Sequence, residues 1–473
     1  MNMEIDREQR FMESLPSNAA QLSLPVEVEA EPGKTFRPIH YLGSKLRILD
    51  FIKDAIDKVD PSNGCVCDLF AGSGTVSRFL SNERPVISVD IQEYSRVLCS
   101  ALLRPYCSIK YCDVVELCRK SEHFEKLRWA LEPLINHESC CINLALSENP
   151  IPLCELIENG SIISFESGFA PEVASNLIKA IKLVSSRLSK YKFKQGPSAL
   201  VTRYFGGVYF SYLQAIQIDS LLEVISKEHP EVKDSLLAAA LSTVSEIVNT
   251  VGKQFAQPLK PRKNDGAPKK GLGARVKRDR SMDVFIAFEK WLETYSSQTT
   301  SGFYHKVYKM DYSKALDLMK HEVKAVYADP PYTRDHYSRF YHVLETICLR
   351  DNPVVSMSCV KGKLGMSRGI YRENRHQSPF CIKSQASLAF ENLFRKVRNL
   401  EVPLVLSYSP FDKDNPSRPR LMTIDNLKGI ATKFYKRINV ISPGVFTHSK
   451  LNCSEKNFEA PRNGELLVLC EIK

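Results

Sequence analysis

The chain has 473 residues, of which 43% are hydrophobic, so it exceeds a typical single domain of about 100–200 residues. It carries a formal net charge of +11, has no run of 18 apolar residues, and begins with a polar, acidic stretch, a pattern that argues against membrane spans and a secretory signal. We therefore expect a soluble, cytoplasmic protein with two domains and a flexible tail over residues 1–35.

The apolar pattern in chain order predicts an α/β domain interrupted by a helical insertion. Residues 36–118 contain strand signals in "CVCDLF" and "PVISVD", with a helix predicted over "SGTVSRFL" between them. Residues 119–300 show helical periodicity, as in "EVASNLIKAIKLVSSRL", and we expect the aromatic residues at 204–212 to form core there. Residues 301–473 resume the α/β pattern, with strands predicted at "KAVYAD", "VPLVLSYSP" and "ELLVLCEI".

The positive charge is concentrated in residues 253–280, a basic arm with ten Lys or Arg and two Asp, hence a local charge of +8. Such a segment is typical of proteins that bind a polyanion, and a solvated linker is the alternative. Because it is rich in Pro, Lys and Gly, we expect residues 257–280 to form a loop or a partly ordered arm. The fourteen cysteines lack zinc-type spacing, so we expect buried thiols in a reducing compartment and no metal centre.

Residues 67–80, "CDLFAGSGTVSRFL", combine a strand end, a tight turn and a helix start. Gly72 and Gly74 allow the backbone to approach a ligand closely. The third glycine of a dinucleotide loop and the Gly-Lys-Ser/Thr of a phosphate loop are missing, so neither NAD nor ATP is favoured. Asp90 ends the next strand, where its carboxylate can accept hydrogen bonds from both hydroxyls of a ribose. An ordinary turn with an exposed acid is the alternative.

Residues 329–332, Asp-Pro-Pro-Tyr, follow an apolar strand. The lone pair of an adenine amine is delocalised, so a site that alkylates this nitrogen must bind both N–H groups and orient them. The Asp329 carboxylate and the Pro330 carbonyl offer two acceptors, while the prolines fix φ near about −65° and remove competing donors. Tyr332 offers a flat face to a base. Transfer from a sulfonium methyl donor would then need neither a metal nor a strong base. The alternative is that residues 329–332 only form a rigid turn after the strand.

The pair "DLFAGSG" and "ADPPY" resembles S-adenosylmethionine-dependent amino-methyltransferases, and the order of the motifs resembles the Dam-like (D12 class) N6-adenine DNA methyltransferases. The resemblance covers roughly residues 36–118 and 320–473, including "RPIHYLGSKLRIL" and the closing "GVFTHSKLNCSEKNFEAPRNGELLVLC". It implies a Rossmann-like methyltransferase sheet with helices on both faces, interrupted by a target-recognition region at 119–300. That region is larger than in minimal members, so their recognition rules cannot be transferred.

The resemblance implies S-adenosyl-L-methionine as cofactor and double-stranded DNA as substrate, with the adenine flipped out of the stack. The catalytic residues would be Asp329, Pro330, Pro331 and Tyr332. The cofactor would contact Tyr41, Lys45, Asp68, Phe70, Ala71, Gly72, Ser73, Gly74, Asp90 and Asp329. We expect DNA contacts from Lys269, Lys270, Arg275, Lys277, Arg278, Arg334, Tyr337 and Arg339.

Several other substrates remain open at this point. RNA adenine, cytosine N4 and protein glutamine are acted on through related Pro-Pro motifs, although the motif order argues against most RNA and glutamine enzymes. Cytosine C5 transfer is disfavoured because the chain has no Pro-Cys pair. A nucleic-acid-binding protein that keeps the fold without turnover is the alternative from another class. A restriction-modification or similar self-marking role, with a cognate restriction endonuclease or defence-system partner, is the expected context.

Overall fold

The computed structural model describes residues 36–41, 43–105, 112–169, 175–299, 301–334, 336–360, 363–409, 421–443 and 465–472. The expected N-terminal tail lies outside these residues, as does most of the expected closing segment, at 444–464.

Within the described residues, seven strands form one central sheet, and two further strands form a separate hairpin. The strands are β1 (Val66–Leu69), β2 (Val86–Asp90), β3 (Lys306–Lys309), β4 (Ala325–Ala328), β5 (Met357–Val360), β6 (Lys363–Met366), β7 (Leu404–Tyr408), β8 (Arg437–Ile441) and β9 (Leu466–Glu471). The sheet order is β3-β2-β1-β4-β7-β9-β8, and β5 pairs with β6. Strand β9 is antiparallel to both of its neighbours, whereas the pairs among β3, β2, β1, β4 and β7 are parallel.

Helices cover both faces of the sheet and fill the interval between β2 and β3. They are α1 (Leu49–Val59), α2 (Thr75–Leu80), α3 (Glu93–Leu103), α4 (Cys112–Arg119), α5 (Glu122–Leu146), α6 (Ile151–Asn159), α7 (Ile162–Glu166), α8 (Ser175–Lys190), α9 (Leu200–Phe205), α10 (Tyr212–Ile225), α11 (Pro230–Ile247), α12 (Leu272–Arg280), α13 (Val284–Ser296), α14 (Tyr312–Leu318), α15 (Tyr337–Phe340), α16 (His342–Leu349), α17 (Lys383–Asn399) and α18 (Ile424–Ala431). Short 3₁₀ turns occur at Leu46–Ile48, Val251–Lys253 and Pro379–Cys381.

The two faces of the sheet are buried by different helices. On one face, Leu69 and Leu406 share a hydrophobic cluster with residues of α14, α17 and α18. On the other, Val66, Tyr327 and Leu467 pack with residues of α1 and α2. Parallel strands that are covered on both faces read as continuous apolar runs rather than alternating ones, which explains why β1, β4 and β7 are visible in the sequence.

The order in which strands are added to the sheet reverses between β1 and β4, although the two strands are parallel. From β1 the chain proceeds through β2 to β3 on one side, and it returns to place β4 on the other side of β1. Cys67 pairs with Val326 and Leu69 with Ala328, so the two strands end at the same level. Open α/β sheets bind ligands in the crevice outside the carboxyl ends of strands at such a reversal. The topology therefore places the segments after β1 and β4, the glycine loop and the Asp-Pro-Pro-Tyr segment, side by side.

The predicted α/β, Rossmann-like fold class is confirmed. The aromatic residues of 204–212 are buried, as predicted. Four of them lie in a hydrophobic cluster that also contains residues of α3 and α16, and Tyr212 lies in a second cluster with residues of α5 and α8. The division into four segments, with 119–300 as a separate inserted domain, stays a prediction.

The expectation of a loop or arm over 257–280 is wrong for residues 272–280, which form α12. Leu272 and Val276 are four residues apart and both are buried, so one face of the segment packs against the helical core. Gly271 precedes the helix as its N-cap residue with φ of +68°, a conformation that glycine adopts without steric cost. The short strands β3 and β8 and the β5–β6 hairpin were not predicted.

None of the helices in the described ranges combines the length and apolar composition that crossing a membrane requires. Seven cysteines of the described ranges are buried and form no disulfide bond: Cys67, Cys99, Cys118, Cys141, Cys154, Cys381 and Cys470.

Candidate active site

An open cleft lies at the carboxyl ends of β1, β2 and β4. Its space, counted together with the part open to solvent, is about 1130 Å³. The cleft is lined by the glycine loop, the end of β2, the Asp-Pro-Pro-Tyr segment, the segment before α1, and residues near 376–380. The two motifs singled out in the sequence, separated by more than 250 residues, therefore share one cavity.

The glycine loop turns sharply after β1 in a left-handed conformation. Phe70, Gly72 and Gly74 have φ values of +64°, +57° and +76°. A Cβ atom at Gly72 would lie 2.4 Å from the hydroxyl oxygen of Tyr41, so a side chain at this position would displace the tyrosine. Gly74 precedes α2 as its N-cap residue. The glycines thus allow both the turn and the close approach of Tyr41.

Asp90 is held at the end of β2 by the glycine loop itself. Its Oδ2 accepts a hydrogen bond from the Gly72 N–H at 2.9 Å, and its Oδ1 accepts one from the Gln92 N–H at 2.9 Å. Burial raises the pKa of Asp90, while these backbone hydrogen bonds oppose the rise. The carboxylate is fixed at the edge of the cleft, in the position expected for an acceptor of ribose hydroxyls.

Asp68 lies beneath the loop, in β1, with 1% of its surface exposed. The Ser77 hydroxyl donates to Asp68 Oδ2 at 2.5 Å and also lies 2.5 Å from the Ser88 hydroxyl. Burial raises the pKa of Asp68 to about 7; the Ser77 hydrogen bond lowers it, and the charges of Asp329 and Asp90 add to the rise. The cleft therefore contains a carboxyl group that changes charge near neutral pH.

The Asp-Pro-Pro-Tyr segment carries a partly buried ion pair that was not predicted. The Lys45 ammonium lies 2.9 Å from Asp329 Oδ2, and its side chain is 7% exposed. Burial disfavours the ammonium, but the carboxylates of Asp329 and Glu465 outweigh this and raise the pKa of Lys45. Burial also raises the pKa of Asp329, against the opposing effect of Lys45. Resemblance alone assigned Lys45 to the cofactor; in the structure it contacts the acid of the motif.

Glu465 is a further residue of this centre that the sequence analysis missed. Its carboxylate lies 3.3 Å from the Lys45 ammonium and accepts hydrogen bonds from the hydroxyls of Ser407 at 2.7 Å and Tyr332 at 3.4 Å. Only 2% of its surface is exposed. The Tyr332 ring also packs against that of Tyr408, with centroids 4.9 Å apart. The one signal in the sequence was an acid directly preceding the apolar run of β9.

Tyrosines from distant segments close the cleft on the side of the glycine loop. The rings of Tyr41 and Tyr341 stack at 4.9 Å with an interplanar angle of 14°, and Tyr337 lies 6.0 Å from Tyr41. Tyr337 lines the cleft. The assignment of Tyr337 to DNA contact stays a prediction. In the structure, Tyr337 neighbours Tyr41, a residue of the expected cofactor site.

The other residues expected to contact DNA differ in exposure. Lys270, Lys277, Arg278 and Arg334 are exposed. Lys269 and Arg275 are half-buried, and the Arg275 guanidinium donates to the Thr250 carbonyl at 2.9 Å. The Arg339 guanidinium lies 5.3 Å from the centre of the Tyr371 ring. The exposed cations of this set are therefore better placed than Arg275 to meet a phosphate backbone.

Comparison with known proteins gives a family for this arrangement. The family model of the D12 class N6 adenine-specific DNA methyltransferases matches residues 41–138 and 267–402. The two matched segments contain the glycine loop and the Asp-Pro-Pro-Tyr segment, and they leave out most of the helical region between β2 and β3.

Three curated relatives are modification or type II methyltransferases. The modification methylase LlaI of Lactococcus lactis subsp. lactis is 25% identical over 402 residues, covering 84% of this chain and 49% of that protein. The type II methyltransferase M.FokI of Planomicrobium okeanokoites is 24% identical, covering 78% and 44%. The type II methyltransferase M.NlaIII of Neisseria lactamica is 24% identical, covering 76% and 80%. The chain spans about half the length of the first two relatives.

The matched segments, the relatives and the shared cleft agree on one assignment. The chain belongs to the D12 class of N6 adenine-specific DNA methyltransferases.

Proposed function

We propose that this chain transfers a methyl group from S-adenosyl-L-methionine to N6 of a flipped-out adenine at a specific sequence in duplex DNA. The observation that carries the proposal is the meeting of the glycine loop, Asp90 and Asp329 in one cleft at the reversal between β1 and β4. The names of the relatives support a modification role, and the partner that fits this role is a cognate restriction endonuclease or another component of a defence system.

The charge of the cleft fits a cationic cofactor. The described lining contains the carboxyl groups of Asp68, Asp90, Asp311 and Asp329 and a single ammonium, that of Lys45. This excess of acid disfavours a nucleotide phosphate and suits a ligand that carries a sulfonium and an ammonium group.

Buried hydroxyls in the cleft fit the remaining polar group of such a cofactor. Within the described residues, the hydroxyls of Tyr327 and Ser44 are buried and have no hydrogen-bond partner. Both residues line the cleft, and both hydroxyls can donate to a carboxylate such as that of a methionine group. When bound, S-adenosyl-L-methionine supplies the methyl group that is transferred. Asp90 would hold the ribose of the cofactor. Asp68 and the glycine loop would hold its methionine end.

The Asp-Pro-Pro-Tyr segment supplies the contacts for the target nitrogen. Asp329 offers one carboxylate oxygen to an N–H of the amine while the other binds Lys45, and the Pro330 carbonyl is the proposed second acceptor. The Asp329 carboxylate can also take up the proton that the nitrogen loses once it is alkylated. Tyr332, fixed by its hydroxyl and by Tyr408, presents its ring to the base.

Access to these groups requires the base to leave the duplex. Asp329 is only 24% exposed, and Pro330 is buried. A nucleobase that stays stacked in the duplex therefore cannot reach them. We propose that the exposed basic residues bind the backbone beside the extruded nucleotide, and that residues 119–300 contain the groups that read the sequence.

The proposal is tested by transfer of a labelled methyl group from S-adenosyl-L-methionine to unmethylated duplex DNA. Asp329→Ala should lower the rate by about 10²- to 10³-fold or more, because it removes an acceptor that acts on the reacting nitrogen, and it should leave DNA binding largely intact. Asp317→Ala, at an exposed acid of α14, is the matched control and should retain full activity.

Three outcomes would contradict the proposal. Activity of Asp329→Ala within a few-fold of the wild type would remove the assigned role of that carboxylate. DNA binding without transfer to any DNA would favour a non-catalytic binding protein, while transfer to RNA or to cytosine would favour the other amino-methyltransferase activities.

A further inference from the structure

Glu465 connects the last strand of the sheet to the Asp-Pro-Pro-Tyr segment. Strand β9 runs antiparallel between β7 and β8, so the residue before β9 lies at the carboxyl end of β7. Strand β7 in turn pairs with β4, the strand that ends at the motif. This topology brings an acid from the far end of the chain to the same edge of the sheet as Asp329.

The contacts of Glu465 are those of an anchor for two residues of the motif centre. One carboxylate oxygen lies 3.3 Å from the Lys45 ammonium and accepts the Ser407 hydroxyl at 2.7 Å. The Tyr332 hydroxyl lies 3.4 Å and 3.5 Å from the two oxygens. Lys45, for its part, contacts Asp329 at 2.9 Å. Glu465 is therefore one contact away from the acid that faces the target nitrogen.

We infer that Glu465 is a positioning residue, which holds the Lys45 ammonium and the Tyr332 hydroxyl and thereby sets the location and the charge of Asp329. The inference deepens the proposed function and rests on it for its catalytic consequence. Its structural consequence, an effect on Asp329 in the cofactor-free protein, does not depend on which substrate is methylated.

Two carboxylates share one ammonium in this centre. The titratable or charged groups that face Asp329 are Lys45 from the segment before α1, Tyr327 from β4, Tyr332 from the motif, Asp68 from β1, and Glu465 from before β9. Burial raises the pKa of Asp329, Lys45 opposes the rise, and the Glu465 charge adds to it. With a neutral residue at 465, the Lys45 ammonium would interact with the Asp329 carboxylate and no longer with a second charge at 465. The carboxyl group of Asp329 should then lose its proton at lower pH.

Glu465→Gln changes the charge while retaining a side chain that can accept the Ser407 and Tyr332 hydroxyls. We expect the acidic limb of the pH–kcat/KM profile to move down by about one pH unit. Glu471→Gln is the matched control: it lies at the other end of the same strand, contacts Arg437 and Asn439, and should leave the profile unchanged.

Ser407→Ala tests position without altering charge. It removes the 2.7 Å hydrogen bond to Glu465 and leaves each ionisable group in place. We expect kcat to fall by about 10-fold, because Lys45 and Tyr332 lose a fixed anchor, with little change in the KM for DNA or in the pH profile. This variant also keeps the inference testable if Glu465→Gln does not fold.

The decisive readout does not require activity. The ¹³C-carboxyl resonance of Asp329, assigned by its absence in Asp329→Ala, can be titrated in the cofactor-free protein. We expect a lower midpoint in Glu465→Gln than in the wild type and Glu471→Gln. Equal midpoints in all three proteins, or an unchanged kcat in Ser407→Ala, would overturn the inference. Absence of DNA methylation by the wild type would refute the proposed function and leave this titration as an independent test.

Discussion

Replacing Asp68 with asparagine should stabilise the protein and at the same time weaken cofactor binding. Asp68 is 1% exposed, and its pKa is raised by burial from 3.8 to about 7. Between these two pH values the unfolded chain has lost the proton and the folded protein retains it. The folded state then binds more protons, so the free energy of unfolding decreases as the pH rises through this interval.

The magnitude follows from the width of the interval. It spans about 3 pH units, each worth about 1.4 kcal/mol, so ionisation of Asp68 removes up to about 4 kcal/mol of stability by pH 8. Asparagine is neutral throughout and its side-chain oxygen can still accept the Ser77 hydroxyl. The free energy of unfolding of Asp68→Asn minus that of the wild type should therefore increase between pH 4 and pH 7 and then level off.

Denaturant unfolding of both proteins at several pH values between 4 and 8.5 measures this difference. Calorimetric titration with S-adenosyl-L-methionine at pH 8 should show affinity reduced by about 10- to 100-fold, the effect of losing a charged hydrogen-bond partner. Asp219→Asn is the control for affinity. Asp219 is also 1% exposed, and its pKa is also raised to about 7 by burial. Its carboxylate, however, accepts hydrogen bonds from backbone N–H groups of α9, outside the cleft. A stability difference that does not change with pH would refute the reasoning.

Two further variants, one single and one triple, test other parts of the proposed function. Gly72→Ala should weaken binding of S-adenosyl-L-methionine by at least about 10-fold. The reason is that the new Cβ would lie 2.4 Å from the Tyr41 hydroxyl, on a backbone with φ of +57°. Unchanged affinity in a binding titration would show that the close approach of Tyr41 is not needed. Neutralising the exposed cations of α12 and the residues before it should weaken binding to all DNA sequences. The slope of the logarithm of the DNA-binding constant against the logarithm of the salt concentration should decrease by about 0.9 for each lost phosphate contact. An unchanged slope would show that this surface does not contact DNA. The cations to be neutralised are Lys270, Lys277 and Arg278.

The parts of the fold that were predictable are the buried parallel strands. β1, β4 and β7 are covered on both faces, so apolar residues predominate along each strand instead of alternating with polar ones. β3 was missed because it lies at the edge of the sheet and has lysine at both ends, Lys306 and Lys309. Helix α12 was missed because glycine and basic residues dominate its composition, whereas two buried residues, Leu272 and Val276, determine its packing.

The parts of the site that were predictable are those that lie within local motifs. The turn at Gly72 and the carboxylate of Asp90 follow from a strand, a turn and a second strand close together in the chain. The centre formed by Lys45, Asp329 and Glu465 joins three segments that are far apart, and its ion pairs depend on the order of strands in the sheet. No local pattern encodes that order, so Glu465 could be identified only from the structure.

The central claim is that the cleft directs methyl transfer to the exocyclic nitrogen of adenine in DNA. Sequencing of modified bases in DNA from cells that express this chain, compared with cells that express Asp329→Ala, tests it most directly. The account predicts N6-methyladenine at one short sequence motif in the first sample and its absence in the second. DNA without modified bases in both samples, or methyl groups on cytosine, would contradict it.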